Sequence, residues 1–274
     1  FIMEYYMTDE RIAEYLKALE NEERAAATIE KYRRALLSFA AFLSGAAVTP
    51  ATIRLWKDEL HERNYAPSTI NTFLAALNGF FHFCGWSDCR ARFLKIQHRL
   101  FRDSRQELTR AEYERLVAVA ETAGDRGLAL LMETICSTGI RVSEVQYITV
   151  EAAKNGKAEI ALKGKIRTIL LPSKLCRKLL KFAARQKTAS GAIFRAKSGN
   201  AMSRYQIWSK MKKLCERAGV DAEKVFPHNL RHLFATVFYR AYKDIVKLAD
   251  VLGHSSIETS RIYLVTSAAE HRRQ

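Results

Sequence analysis

The sequence lacks long apolar runs and paired cysteines. No apolar run approaches the roughly 20 residues that span a bilayer, and no basic segment followed by an apolar stretch opens the chain. We therefore expect a cytoplasmic protein with no membrane partner. The five cysteines are scattered, with no C-x-x-C pair and no paired histidines near them, which argues against a disulfide framework and against a zinc site.

Positive charge is what the sequence has in excess. Lys and Arg number 45 against 29 Asp and Glu, which makes a formal net charge of +16. A sustained positive field attracts polyanions, so nucleic acid is the leading candidate partner. Hydrophobic residues make up 48% of the chain, and its 274 residues suffice for one large domain or two modest ones. The composition indicates a folded protein that binds nucleic acid.

Helical periodicity dominates the N-terminal part of the chain. Apolar residues recur at helical spacing over residues 8–20 and 29–43. Thr49-Pro50 and Pro67-Ser68 each indicate a helix start, because proline fits the first helical position. We expect four helices here, with basic residues between the apolar positions. Such residues either form a solvated charged face or contact DNA, and the candidate contacts are Arg33, Arg34, Arg54 and Lys57.

A basic segment separates two parts of the chain. Residues 90–106 contain six Lys or Arg but only one acid, Asp103, and show weak periodicity, which is typical of a linker. Thr109 and Glu112 then match a capping box, so a new helix begins there. We place the boundary near residue 104, between a helical DNA-binding domain over 1–104 and a second domain over 105–274. Arg99 and Arg102 are candidate phosphate contacts in the linker.

The second part is helical with one interruption. Residues 158–162 and 166–171 are short β-prone runs on either side of Lys163-Gly164-Lys165, where glycine permits the positive φ of a tight hairpin. Helices then resume with a capping box at Ser203 and Gln206 and a left-handed cap at Gly219. The sequence predicts a mainly α protein, a helical N-terminal domain followed by a mostly helical domain with a small β-hairpin.

Four local signals in the second part form a recognisable constellation. They are Thr138-Gly139-Ile140-Arg141-Val142-Ser143-Glu144, the Lys163 hairpin, His228-Asn229-Leu230-Arg231-His232, and Leu252-Gly253-His254-Ser255-Ser256, with Tyr263 nine residues after His254. Together they resemble the tyrosine recombinase family of phage-type integrases over about residues 109–265. The N-terminal part resembles that family's SAM-like core-binding domain in outline. The resemblance implies an enzyme that cuts and rejoins DNA at specific sites through a 3′-phosphotyrosine, for integration and excision of a mobile element.

The residue types suit phosphodiester chemistry. Arg141 and Arg231 stay charged at any working pH and can each donate two hydrogen bonds to phosphate oxygens, where negative charge develops in the transition state. The resemblance implies that Tyr263 is the nucleophile, which must lose its phenolic proton as it attacks. We expect His228 to assist that deprotonation and His254 to donate a hydrogen bond to a nonbridging oxygen.

The hairpin departs from the family pattern, which has one more residue between its two lysines. Lys163 precedes the glycine as in that pattern, so we favour it as the general acid that protonates the departing 5′ oxygen, with Lys165 as the alternative. Glu144, three residues after Arg141, either orients that guanidinium or is an exposed helix acid. We expect His232 to be a buried histidine behind the site.

The resemblance requires neither metal nor cofactor, and the acids are dispersed rather than clustered as in a metal-dependent nuclease. The implied partners are double-stranded DNA recombination sites, a homo-tetramer on DNA and accessory DNA-bending factors. An alternative within the class is a Xer-type resolvase of chromosome or plasmid dimers. A type IB topoisomerase would use the same chemistry, and a non-catalytic DNA-binding regulator would keep the fold alone.

Overall fold

The computed structural model describes residues 4–96, 106–162, 165–254 and 260. The chain separates into two compact units, residues 1–98 and 99–274, and each has its own apolar core. The predicted mainly α class is confirmed. The predicted boundary near residue 104 falls in the segment 97–105, which lies outside the described residues.

The first unit contains the four predicted helices. They are α1 (Asp9–Asn21), α2 (Ala26–Leu43), α3 (Pro50–Glu62) and α4 (Pro67–Phe83). Pro50 and Pro67 open α3 and α4 as predicted, and Thr49 caps α3 with its side chain. The α4 helix contacts the other three around a core of large aromatic side chains, Phe39, Trp56, Phe80 and Phe81. Burial of these rings is the main favourable term for the unit's stability.

The chain that leaves α4 is held against that helix by two asparagines. The side chain of Asn78 pairs with both backbone groups of Ala91 at 2.8 and 2.9 Å, and Asn71 pairs with Leu94 in the same way at 2.7 and 2.9 Å. Ala91 is buried in the core of the unit. The start of the predicted basic linker is therefore part of the first unit, because side-chain amides replace the backbone partners that a helix or sheet would supply.

The second unit is built from eight α-helices among the described residues, with one hairpin and two 3₁₀ helices between them. In chain order these are α5 (Arg110–Thr122), α6 (Arg126–Thr138), a 3₁₀ helix (Val142–Tyr147), α7 (Val150–Asn155), β1 (Lys157–Leu162), β2 (Lys165–Leu170), α8 (Ser173–Arg185), α9 (Arg204–Lys212), α10 (Cys215–Ala218), a 3₁₀ helix (Ala222–Lys224), α11 (Pro227–Tyr242) and α12 (Ile245–Leu252). The predicted capping boxes at Thr109 and Ser203 and the left-handed cap at Gly219 are confirmed.

Helix α6 lies at the centre of this unit. It contacts α5, α8, α9 and α11, and Leu131, Met132 and Ile135 on it are fully buried. It ends at Gly139, whose φ of +66° is a left-handed conformation that glycine adopts without a Cβ penalty. The chain turns there, so the residues after Gly139 leave the core directly beside α11.

The predicted hairpin is confirmed. Strands β1 and β2 pair antiparallel, with Lys157 opposite Leu170 and Leu162 opposite Lys165. The residues between the strands, 163 and 164, lie outside the described residues. Ile160 and Ile169 are buried on one face of the hairpin, whereas Ile166 and Leu170 are largely exposed on the other. Because side chains alternate along a strand, Arg167 lies on the buried face.

Candidate active site

Arg141 and Glu144 form a compact pair at the end of α6. Arg141 precedes the 3₁₀ helix, and its backbone N–H donates to Glu144 Oε2 at 2.7 Å while its Nη1 donates to Oε1 at 2.8 Å. Glu144 is buried, with 2% of its side chain exposed, whereas Arg141 keeps 41% exposed. Of the two alternatives for Glu144, the structure has the contact with Arg141 and not the exposed helix acid. A buried carboxylate thus holds one edge of a guanidinium whose other side reaches solvent.

Helix α11 contributes the next two predicted residues. Pro227 opens the helix, His228 is exposed, and Arg231 is buried one turn later. Arg231 Nη1 donates to the carbonyl of Gly139, and its Nη2 donates to the carbonyl of Leu252 at 2.8 Å. Gly139 follows the last residue of α6, and Leu252 is the last residue of α12. Arg231 therefore links the turn before Arg141 to the turn before His254.

Gly253 caps the C-terminus of α12 with a φ of +62°, and His254 is the next residue. Its Nε2 lies 3.0 Å from Arg231 Nη2, and its Nδ1 lies 2.7 Å from the hydroxyl of Ser260. Arg141 also reaches this turn, because its Nη2 is 3.3 Å from the carbonyl of Gly253. Two arginines and the histidine therefore share one small region.

The environment of His254 disfavours the charged imidazolium. Burial of the half-exposed ring lowers its pKa to about 4, and the nearby cations Arg231, Arg141 and Arg167 act in the same direction, as does His228. His254 is therefore neutral at physiological pH in the protein without DNA. An anion bound among these cations would reverse part of the shift, since negative charge favours the imidazolium.

An open pocket of about 660 Å³ lies over this region, and its walls include Arg141, His228 and Arg231. Tyr205 and Trp208 of α9 form its aromatic side, with ring centroids 5.9 Å apart, and Tyr205 is 72% exposed. A pocket with two guanidiniums, an imidazole and exposed rings suits a phosphodiester flanked by sugars and bases.

The structure adds two residues that sequence reasoning missed. Arg167 of β2 donates to the carbonyl of Leu252 and pairs with Glu144 Oε2 at 3.3 Å. The alternation of the hairpin contained the signal, because Arg167 shares a face with buried isoleucines and a buried guanidinium needs an acidic partner. Ser260, fully buried beside His254, had no comparable signal in the sequence.

Several predicted residues are placed differently or lie elsewhere. His232 was expected to be buried, but on α11 it is only half-buried, and its Nδ1 lies 3.4 Å from Thr236 Oγ1. The backbone of Lys165 belongs to β2, not to the hairpin turn. Lys163, Tyr263, Arg99 and Arg102 lie outside the described residues.

The candidate DNA contacts of the first unit lie on α2 and α3. Arg33 and Arg34 are exposed and both pair with Glu30, at 3.7 and 2.9 Å. Arg54 is exposed, and Lys57 donates to the carbonyl of Arg92 at 3.1 Å. Surface ion pairs are weak, so Arg33 and Arg34 can exchange the glutamate for a phosphate at little cost.

Two further findings concern the described part of the chain. None of its helices has the length and apolar character needed to cross a membrane. In the same residues no group of three or more His, Cys, Asp or Glu side chains is placed to hold a metal ion. The arrangement supplies fixed cations and hydrogen-bond donors around an open pocket, which is suited to stabilising a pentacoordinate phosphate transition state.

Comparison with known protein families gives two matches. Residues 106–270 match the profile of the phage integrase family, and residues 12–87 match that of the phage integrase N-terminal SAM-like domain. The first match contains the whole predicted constellation, and the second covers most of the four-helix unit.

Curated relatives match over nearly the whole chain. Tyrosine recombinase XerA of Pyrococcus furiosus is 29% identical over an alignment of 273 positions, which covers 96% of this chain and 91% of that protein. Tyrosine recombinase XerD of Brucella suis biovar 1 is 30% identical over an alignment of 281 positions, which covers 92% of this chain and 91% of that protein.

Solved structures share the fold at lower identity. A lambda integrase dimer bound to a COC′ core site matches with a TM-score of 0.75 at 17% identity, covering 93% of this chain and 94% of that one. The XerH recombinase in a pre-cleavage complex with its difH substrate matches with a TM-score of 0.69 at 20% identity, covering 98% and 89%.

Proposed function

Because the chain belongs to the phage integrase family of tyrosine recombinases, we propose that it integrates and excises a mobile DNA element by cutting and rejoining DNA at specific sites. The observation that supports this is the convergence of Arg141, His228 and Arg231 on one open pocket with His254 beside it. Three separate motifs of the sequence contribute these side chains, and a DNA phosphate is the substrate that their chemistry fits.

The two arginines hold the phosphate in this proposal. Arg141 and Arg231 direct N–H donors at the nonbridging oxygens, which carry more charge in the transition state than in the ground state. Both guanidiniums are already anchored, by Glu144 and by backbone carbonyls, so little reorganisation accompanies the reaction. Phosphate binding favours a proton on Nε2 of His254, which then donates a hydrogen bond to a nonbridging oxygen.

The covalent step forms one bond and breaks one. The oxygen of Tyr263 attacks phosphorus, its proton passes to His228, and the bond to the 5′ oxygen breaks as Lys163 protonates it. The product is a 3′-phosphotyrosine and a free 5′ hydroxyl. Attack by a 5′ hydroxyl of a second strand reverses the step, and the phosphotyrosine conserves the bond energy without an external energy source.

Double-stranded DNA is the proposed partner of both units. The net charge of +16 supports it, as do the DNA-bound states of the lambda integrase and XerH structures that share the fold. Exchange between two duplexes requires four cleaved strands, so we expect a homo-tetramer on paired sites, with accessory DNA-bending factors where the site is long. Measuring the mass of the protein complex on paired and single sites tests the tetramer, and a dimer on paired sites would contradict it.

Dimer resolution is the second candidate role. The similarity to XerA and XerD over nearly the full length favours it, although chemistry and fold are common to both roles. The location of the natural target distinguishes them. Chromatin immunoprecipitation should recover the ends of a mobile element if the protein is an integrase, and a single chromosomal or plasmid site if it is a resolvase.

Substitution Tyr263→Phe tests the chemistry. It removes one hydroxyl, so binding to the DNA site selected by the unmodified protein should persist while the covalent adduct disappears. Tyr242→Phe is the matched control, because Tyr242 is an exposed tyrosine of α11 outside the pocket walls, and it should leave adduct yield unchanged. An adduct that survives denaturation in the Tyr263→Phe protein would contradict the assignment of the nucleophile. Absence of any adduct in the unmodified protein would favour the non-catalytic regulator.

A further inference from the structure

Arg167 links three functional segments of the second unit. Its Nη1 donates to the carbonyl of Leu252, the last residue of α12, and its Nη2 lies 3.3 Å from Glu144 Oε2. The same carboxylate oxygen accepts from the backbone N–H of Arg141 at 2.7 Å. One side chain of the hairpin is therefore bonded both to the residue that anchors Arg141 and to the turn that precedes His254.

The turn at Gly253 is shaped around this side chain. A Cβ atom on Gly253 would lie 2.4 Å from both Cδ and Nη1 of Arg167, which is closer than real Cβ contacts come. The left-handed backbone of Gly253, with φ of +62°, and the guanidinium therefore occupy complementary space. Because His254 is the next residue, displacement of Arg167 would move the imidazole.

Arg167 is largely buried and does not line the pocket where the phosphate would lie. It is absent from the pocket walls, and only 14% of its side chain is exposed, against 41% for Arg141. A buried guanidinium of this kind gives little net stability compared with an apolar residue, since removing the charge from water offsets the attraction to Glu144. Its neighbours Ile160 and Ile169 on the same hairpin face are buried and apolar. Packing alone would therefore select an apolar residue at position 167 as well.

We propose that Arg167 is a positioning residue for strand cleavage, which holds the Glu144–Arg141 pair and the His254 turn in one fixed arrangement. The inference rests on the catalytic roles proposed above for Arg141 and His254. A planar guanidinium suits the task because its fork donates in two fixed directions, to a carbonyl and to a carboxylate. A lysine at 167 would keep the charge but not this geometry.

Substitutions Arg167→Met and Arg167→Lys test the proposal on the selected DNA site. In single-turnover reactions both should slow adduct formation by about 100-fold, the loss that a misplacement of about 1 Å produces. Binding to the site should stay unchanged, because Arg167 does not reach the pocket. Arg115→Met is the matched control: Arg115 also bonds carbonyls at a helix end, those of Ala218 and Gly219, but away from the pocket walls, and it should cleave normally.

The imidazole of His254 supplies a second readout that does not need DNA. The pKa of this imidazole is lowered by four neighbouring groups, Arg231, Arg141, Arg167 and His228. The two substitutions change only Arg167. Histidine NMR should show a higher pKa for His254 in the Arg167→Met protein, because a nearby cation is lost, and a pKa closer to the original in the Arg167→Lys protein. Thermal unfolding should show both variants folded.

The outcomes separate the inference from the proposed function. Slow cleavage with intact binding and a raised pKa of His254 in Arg167→Met supports the positioning role. Normal cleavage in Arg167→Met, or full restoration of the rate by Arg167→Lys, overturns it. Absence of adduct in the unmodified protein would instead overturn the proposed function, and the NMR comparison would then still decide whether Arg167 acts on His254.

Discussion

Arg231 Nη2 lies 3.0 Å from Nε2 of His254. A guanidinium has only donors, so Nε2 must accept, and a neutral ring then carries its proton on Nδ1. The hydroxyl of Ser260, 2.7 Å from Nδ1, is the matching acceptor. The protein without DNA therefore holds His254 in the tautomer that cannot donate from Nε2, and phosphate binding must change it.

The first prediction concerns this protonation state. Nitrogen NMR of labelled histidine should show His254 neutral at pH 7 with the proton on Nδ1, and its titration should centre at a pKa of about 4. Binding of a DNA site to the Tyr263→Phe protein should raise that pKa and add a proton at Nε2 while Nδ1 keeps its own, because the negative charge of the phosphate favours the imidazolium. A pKa near the ordinary value of about 6.5 in the free protein would contradict the lowering.

The same shift predicts a dependence of stability on pH. The unfolded chain binds a proton at His254 near pH 6.5, whereas the native protein binds it only near pH 4, so between these values the unfolded state holds more protons. The contribution of the neutral His254 ring to the free energy of unfolding should therefore be lost as pH falls from about 6.5 to about 4. Urea titrations across that range should show a weaker pH dependence for His254→Gln than for the unmodified protein, and equal slopes would refute the contribution.

Ser260→Ala should slow cleavage without weakening DNA binding. The substitution removes the acceptor of Nδ1–H and leaves the ring less well oriented, which corresponds to about 1 kcal/mol or roughly a fivefold loss of rate. Ser260→Thr keeps the hydroxyl and should retain most of the rate. If the alanine and threonine variants cleave equally well, the hydroxyl has no part in orienting His254.

The shortened hairpin leads to a prediction about its two lysines. Lys163→Ala should slow cleavage by about 100-fold or more, the usual contribution of a general acid, and Lys165→Ala should slow it much less. A substrate with a sulfur in place of the bridging 5′ oxygen has a better leaving group, so it should restore the rate of Lys163→Ala. If this substrate restored the rate of Lys165→Ala but not that of Lys163→Ala, Lys165 would be the general acid.

Salt dependence reports the phosphate contacts of the linker. Affinity for duplex DNA should fall steeply with salt, with a slope of log K against log salt of about −0.9 for each phosphate neutralised. Changing both Arg99 and Arg102 to Gln should make the slope shallower by about 1.8 if each contacts a phosphate. Changing Arg24 and Arg110, which pair with Glu22 and Glu114, removes the same charge and should alter the slope less. Equal slopes for the two double variants would place the linker away from DNA.

Gly139 and Gly156 provide a matched pair for stability. Both have left-handed backbones, with φ of +66° and +69°, but a Cβ on Gly139 would lie 2.5 Å from the Phe234 ring. A Cβ on Gly156 would meet no side chain within 4 Å among the residues that the structure describes. Gly156→Ala should lower the free energy of unfolding by about 1 kcal/mol, from backbone strain alone. Gly139→Ala should lower it by about 3 kcal/mol, because the clash adds to the strain. Denaturant unfolding measures both, and similar losses would mean that Phe234 moves aside freely.

The amino-acid sequence by itself determined the four N-terminal helices, the starts of α5 and α9, and the constellation of Arg141, His228, Arg231 and His254, because these depend on spacing within short segments. Thr49, Thr109 and Ser203 cap helices through residues three positions away, and such local bonds can be read from the chain. The hairpin was predicted from two β-prone runs with a glycine between them.

Only the tertiary structure decided how these segments meet. The bonds from Arg231 to Gly139 and from Arg167 to Leu252 join residues 92 and 85 positions apart, and no local pattern specifies such distances. The depressed pKa of His254 likewise depends on burial and on cations from three other segments. Packing around α6 brings those charges together, so the state of the imidazole is a property of the folded unit and not of the motif that contains it.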